Sequence, residues 1–151
     1  MIMAEEESKT ITLTGEQLLQ ALQNERAKLD MLQERTNAVQ RVMVDVMAGI
    51  DSLTELNKPG TEGKILVNLG AGTYVSALID KKSKVKRSLA GNIVIDCSSE
   101  EAIEELKKGK EGTEKNLQNL QKEQQMVVAN INNLLGIIAA ARRQAARQQQ
   151  K

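Results

Sequence analysis

The hydrophobic pattern of this 151-residue chain changes period twice. From Thr14 to Asn57 the chain can be read in alternating steps of four and three. This gives Leu18, Leu22, Glu25, Leu29, Leu32, Thr36, Val39, Met43, Val46, Ile50, Leu53 and Asn57, and nine of these twelve are apolar. A 3.5-residue repeat held over about five heptads predicts a coiled-coil seam rather than an ordinary surface helix. Thr14-Gly15-Glu16-Gln17 fits a capping box, and Asn57-Lys58-Pro59-Gly60 is a stop signal. A first helix is therefore expected over 14–57. Such a helix would be about 63 Å long at 1.5 Å per residue.

A second seam begins after Cys97. Ser98 and Glu101 fit another capping box, and the acids there suit a helix N-terminus. Steps of three and four from Ile103 give Ile103, Leu106, Lys110, Thr113, Leu117, Leu120, Gln124, Val127, Ile131, Leu134, Ile138, Ala141 and Ala145, ten of thirteen apolar. This predicts a helix over 98–147 with a soft or bent section at Gly109 and Gly112, each costing roughly 1 kcal/mol against Ala. Laid antiparallel, the seams place Leu18 opposite Ile138, Leu22 opposite Leu134, Glu25 opposite Ile131, Ile50 opposite Leu106 and Leu53 opposite Ile103. No layer then pairs two polar residues. Charge agrees: Glu5, Glu6, Glu7 and Glu16 lie at one terminus, and Arg142, Arg143, Arg147 and Lys151 at the other.

Between the helices, residues 64–97 switch to strand patterning. Lys64–Leu69 and Thr73–Ile79 flank Gly70-Ala71-Gly72, and Val85–Ala90 and Ile93–Cys97 flank the tight-turn pair Gly91-Asn92. Two consecutive hairpins are expected. With no helix to cover them they would leave apolar faces and open edges, so the same region of another subunit is the simplest partner. The fold class is α+β: a long antiparallel two-helix coiled coil, from the N- and C-terminal helices, joined by two consecutive β-hairpins. It forms a single domain over 1–151, with 1–13 and 148–151 as tails.

Composition narrows the chemistry. His, Trp and Phe are absent, Tyr74 is the single aromatic residue and Cys97 the single thiol. These residues supply no Ser-His or Cys-His pair, no His-ligated metal and no internal disulfide. Lys and Arg number 21 against 20 Asp and Glu, so no net charge drives the chain onto nucleic acid or an anionic membrane. The densest basic cluster, Lys81, Lys82, Lys84, Lys86 and Arg87, has no aromatic neighbour to stack on bases and reads as a solvated loop and strand face. Gly60-Thr61-Glu62-Gly63-Lys64 has the wrong glycine spacing for a phosphate loop. Gly70-Ala71-Gly72 has Val75 where a dinucleotide fingerprint needs glycine. Cys97 reads as a small buried filler. The acidic start, the lack of an apolar stretch near 20 residues and the lone cysteine give the expectation of a cytoplasmic, non-enzymatic protein without cofactor or metal.

Two long terminal helices around two consecutive hairpins resemble prefoldin of the α class, archaeal in type. The residues Lys64-Ile65-Leu66-Val67-Asn68-Leu69-Gly70-Ala71-Gly72-Thr73-Tyr74-Val75 are similar to that family's strand-turn-strand signature. Ser98-Ser99-Glu100-Glu101-Ala102-Ile103 resembles its entry to the second helix. Two departures are Asn68, where relatives often have Pro, and Leu89-Ala90-Gly91-Asn92-Ile93, where many have a second Gly-rich turn containing Tyr. The resemblance implies an ATP-independent molecular chaperone subunit. In that family two α-class and four β-class subunits join hairpins into an intersubunit β-barrel platform, and the resemblance implies the same for the hairpins of this chain. Coiled-coil tips then capture unfolded polypeptides and hand them to a group II chaperonin.

On this reading the client-binding positions at the arm tips are Ile11, Leu13, Leu18, Leu19, Leu22, Leu134, Leu135, Ile137 and Ile138. Leu19, Leu135 and Ile137 are the ones the seam does not account for. The oligomerisation positions are Ile65, Val67, Leu69, Tyr74, Val75, Ala77, Ile79, Ile93 and Ile95. The implied partners are β-class subunits, unfolded clients and a group II chaperonin, with no nucleic acid and no membrane. Three rival readings remain: a γ-type filament-forming paralogue, a structural coiled-coil adaptor without chaperone activity, and a nucleic-acid module using the basic loop.

Overall fold

A computed structural model describes residues 14–60, 63–80, 82–89 and 91–148. The elements run α1 (Gly15–Leu56), β1 (Lys64–Gly70), β2 (Thr73–Leu78), β3 (Val85–Ser88), β4 (Val94–Cys97) and α2 (Ser99–Gln148). Strands β1 and β2 form one antiparallel two-stranded sheet, and β3 and β4 form another. The chain divides into two units, Met1–Arg35 with Leu120–Lys151 and Thr36–Asn119. Each is described in turn.

Local chemistry sets both helix starts. At α1 the Thr14 N–H donates to Gln17 Oε1 at 2.9 Å, and the Gln17 N–H donates to Thr14 Oγ1 at 3.3 Å. At α2 the Ser98 N–H donates to Glu101 Oε2 at 3.0 Å, and the Glu101 N–H to Ser98 Oγ at 3.1 Å. Both are reciprocal capping boxes, each satisfying two otherwise orphaned N–H groups. Both helices begin and end within one residue of the expected bounds. α2 runs unbroken through Gly109 and Gly112, so the expected soft section is not a break in the helix. Thr113 Oγ1 donates to the Gly109 carbonyl at 2.8 Å there.

In the first unit the opening half of α1 lies antiparallel to the closing half of α2. Leu18 and Ile138 line a common groove, and so do Glu25, Asn130 and Leu134. The buried side chains Leu18, Leu22, Leu32, Leu120 and Val127 all occupy predicted seam positions. Asn130 Nδ2 donates to Glu25 Oε2 at 3.3 Å, which holds the one acidic seam residue across the pair. In the second unit the same order continues: the Cα of Gly49 faces Leu106, with Leu106 Cδ1 3.3 Å from where a Cβ would stand. Val39, Met43, Val46, Ile50 and Leu53 of α1 are half-buried, as are Ile103, Leu106, Thr113 and Leu117 of α2. Lys110, a polar seam position, is also half-buried and carries its Nζ to Glu114 Oε1 at 3.7 Å.

The hairpins depend on particular backbone conformations. Ala71 (φ 48°) and Gly72 (φ 75°) form the two-residue loop between β1 and β2, where positive φ at both central residues is the turn geometry that follows strand twist. Between β3 and β4 the loop is one residue longer, and Gly91 (φ 79°) and Asn92 (φ 61°) lie in it. A bulge between Asn68 and Gly70 lets the Gly70 N–H donate to Asn68 Oδ1 at 2.8 Å. At the second turn the Leu89 N–H donates to the Ile93 carbonyl at 2.7 Å. Gly63 closes the base of the first hairpin, its carbonyl accepting from the Ile79 N–H at 2.8 Å. Gly63 is buried at φ 71°, and a Cβ there would strike the Ile79 carbonyl oxygen. Leu53, Leu56, Ile79, Val85 and Ser99 surround a small cavity of about 60 Å3.

Candidate binding surfaces

Two sets of exposed aliphatic side chains stand out, one in each unit. In the first, at the end where α1 begins and α2 finishes, a shallow groove of about 440 Å3 is lined by Gly15, Glu16, Leu18, Leu19, Ile138, Ala141, Arg142 and Ala145. Its floor is mostly apolar, with one acid and one base among its lining. Leu18 and Leu22 are buried, Leu134 and Ile138 half-buried, and Leu19, Leu135 and Ile137 exposed at 49%, 40% and 51%.

The groove therefore brings together Leu18, Leu19 and Ile138. Leu134 lines a second, more polar groove with Ala21, Asn24, Glu25, Asn130 and Asn133. Leu135 and Ile137 line neither groove and lie about 160° apart around α2, at 100° per residue. They flank the seam on opposite sides rather than forming one patch. Ile11 and Leu13 lie outside the described residues.

In the second unit the hairpins present apolar side chains on both faces. Direct partners in an antiparallel ladder share a face. Ile65 pairs with Ala77 and Val67 with Val75 on one face, while Leu66 pairs with Ser76, Asn68 with Tyr74 and Lys64 with Leu78 on the other. On the first face Val67 and Val75 are exposed while Ile65 and Ala77 are half-buried; on the second Leu66 (70%), Leu78 (74%) and Tyr74 are exposed. Leu69, in the bulge, is exposed, as are Ile93 and Ile95 of the second hairpin, and Ile79 is half-buried. Leu66, Leu78, Leu89 and Val94 are exposed apolar positions that counting alternate residues passes over. The signal for Leu66 was present in the unbroken run Ile65-Leu66-Val67, the mark of a strand apolar on both faces.

Electrostatics organise the second hairpin. Lys86 Nζ donates to Asp96 Oδ1 at 2.9 Å across the ladder. That hydrogen bond, reinforced by the charge of Lys86, holds the Asp96 carboxyl below the ordinary carboxylate range. Arg87 Nη1 lies 3.5 Å from Glu105 Oε2, which links β3 to the first turns of α2. Glu105 is also held low, chiefly by its hydrogen bond from Lys108 and secondarily by Arg87. Two members of the basic cluster are therefore engaged in ion pairs; Lys81 lies outside the described residues. Cys97 is half-buried, with its Sγ 3.6 Å from the Val85 carbonyl. Among the described residues no helix is long and apolar enough to cross a membrane.

Long helices joined by two hairpins leave aliphatic surfaces uncovered in each unit. The chain belongs to the prefoldin family, and is an α-type subunit of it: the family model described as prefoldin subunit matches residues 16–144. It is 29% identical over 103 residues to the prefoldin subunit alpha of Thermofilum pendens, an alignment covering 68% of this chain and 80% of that protein. Its fold is similar to that of a subunit in the cryo-EM structure of filamentous prefoldin from Methanocaldococcus jannaschii. That match has a TM-score of 0.62 at 20% identity and covers 78% of this chain and 97% of the other. The prefoldin family is one of non-enzymatic chaperones whose subunits assemble with one another.

Proposed function

We propose that this subunit captures unfolded polypeptides at the end of its helix pair and passes them to a group II chaperonin, with no nucleotide or other cofactor. It works in the cytoplasm within a hexamer of two α-type and four β-type subunits. The observation that carries this reading is the exposure of Leu19, Leu135 and Ile137 beside a seam that does not use them. Fully covering one such side chain is worth roughly 1.5–3 kcal/mol. A single arm would hold a client weakly, and several arms of one assembly would raise avidity by roughly 10²–10⁴ without sequence specificity. Ile11, Leu13, Leu18, Leu22, Leu134 and Ile138 complete the proposed surface when the pair opens at its end.

The apolar faces of the hairpins are the proposed oligomerisation surface, through Ile65, Val67, Leu69, Tyr74, Val75, Ala77, Ile79, Ile93 and Ile95. Open strand edges invite strand addition between subunits. The test replaces Leu19, Leu135 and Ile137 together by Ser. Suppression of aggregation of a denatured enzyme is expected to fall several-fold while the native mass of the assembly stays the same. Undiminished suppression would remove these three positions from the client surface.

A further inference from the structure

The small cavity in the second unit contains a hydroxyl that the fold leaves unpaired. The cavity measures about 60 Å3 and lies where the last turn of α1, the exit of β2, the start of β3 and the first residue of α2 meet. Ser99, that first residue, is part of its lining. Ser99 Oγ is buried and has no hydrogen-bond partner among the described residues. The hydroxyl of neighbouring Ser98 is already committed to the helix cap, where it accepts from the Glu101 N–H. A buried hydroxyl without a partner is destabilising.

The surroundings suit water. Asn57, Asp80 and Ser83 add polar groups to the lining. The end of α1 has carbonyls without helical partners, and the start of α2 has N–H groups without them. The cavity lies between the two ends, with Leu56 on one side and Ser99 on the other. Their partial charges are opposite, so a water there can donate toward α1 and accept from α2. A single water needs about 10–15 Å3 of such space, and the cavity exceeds this. An apolar group in its place would leave Ser99 Oγ unpaired. We propose that this cavity is an internal water site, in which Ser99 Oγ bonds to an ordered water that links the end of α1 to the start of α2 at the base of the hairpins. The site adds a polar tie that neither the helix seam nor the strand ladders supply. It depends neither on client capture nor on any particular assembly.

The experiment is Ser99→Ala in the full chain, because the sign of its effect separates the alternatives. Where the hydroxyl holds a water, Ala takes a partner from that water, and the thermal midpoint is expected to fall by about 2–4 °C. Where the hydroxyl bonds to nothing, Ala removes an unpaired polar group and the midpoint rises. Ala is also the better helix former, so a fall does not come from helix propensity. A crystal structure of the unsubstituted chain gives an independent reading. Density for an ordered water within about 3.0 Å of Ser99 Oγ is expected. An unchanged or raised midpoint would overturn the proposal, and so would a map that shows ordered waters elsewhere but none at Ser99 Oγ.

Discussion

Gly63 shows what one residue can decide. It sits at φ 71° with the Ile79 carbonyl where its side chain would be, and its own carbonyl closes the first hairpin. Gly63→Ala incurs both a left-handed backbone penalty and a steric clash, together on the order of 1–3 kcal/mol. The expected outcome is a lower thermal midpoint with faster hydrogen exchange at the Ile79 amide; an unchanged exchange rate would contradict this account. Asp96 gives a second test. Its carboxyl is held low by the Lys86 hydrogen bond, so the pair's contribution is present above the unfolded carboxyl's pKa and is lost as pH falls through the folded value. Lys86→Met is expected to move the Asp96 titration upward, toward the ordinary carboxylate range, as followed by NMR. A midpoint that stays put would mean another group sets it. Neither Gly63's role nor the Glu25–Asn130 bond could be read from the sequence, because each depends on a partner brought near only by folding.

At the scale of the element, the sequence was most legible where forces are local. Thr14 with Gln17 and Ser98 with Glu101 define helix starts using groups three residues apart, and both caps form as expected. The seam was legible for a related reason: a 3.5-residue period places its members on one face, and the buried Leu18, Leu22, Leu32, Thr36, Leu120 and Val127 fall on it. Strands were read less well. β3 and β4 stop at Ser88 and start again at Val94, shorter than expected, because the Gly91-Asn92 turn draws Leu89 and Ile93 into its own closing hydrogen bond. The oligomerisation positions expected on β1 and β2 pass over Leu66 and Leu78. A two-stranded sheet with nothing packed on it has no inner and outer side, and Leu66 and Leu78 are the more exposed pair. Gly109 and Gly112 were expected to soften α2, yet they lie in unbroken helix with no atom near an added Cβ. Gly109→Ala and Gly112→Ala should each stabilise the chain by about 0.5–1 kcal/mol. Calorimetry checks this, and a lowered melting temperature would indicate that these glycines serve a contact made only in the assembly.

For the whole molecule, what matters is what the chain leaves uncovered. A net charge of +1 offers no general electrostatic attraction to a partner. On the proposed function, recognition rests on the exposed aliphatics of the hairpins and of the helix-pair end. The proposed division of labour is assembly through the hairpins and capture through the helices. Its most direct test is the native mass of the chain mixed with a β-type prefoldin subunit that carries a single hairpin. The account predicts a discrete hexamer of two copies of this chain and four of the partner, which is lost when Val67, Leu69 and Val75 are replaced by Ser. A chain that stays monomeric beside that partner, or that forms long filaments by itself, would contradict it.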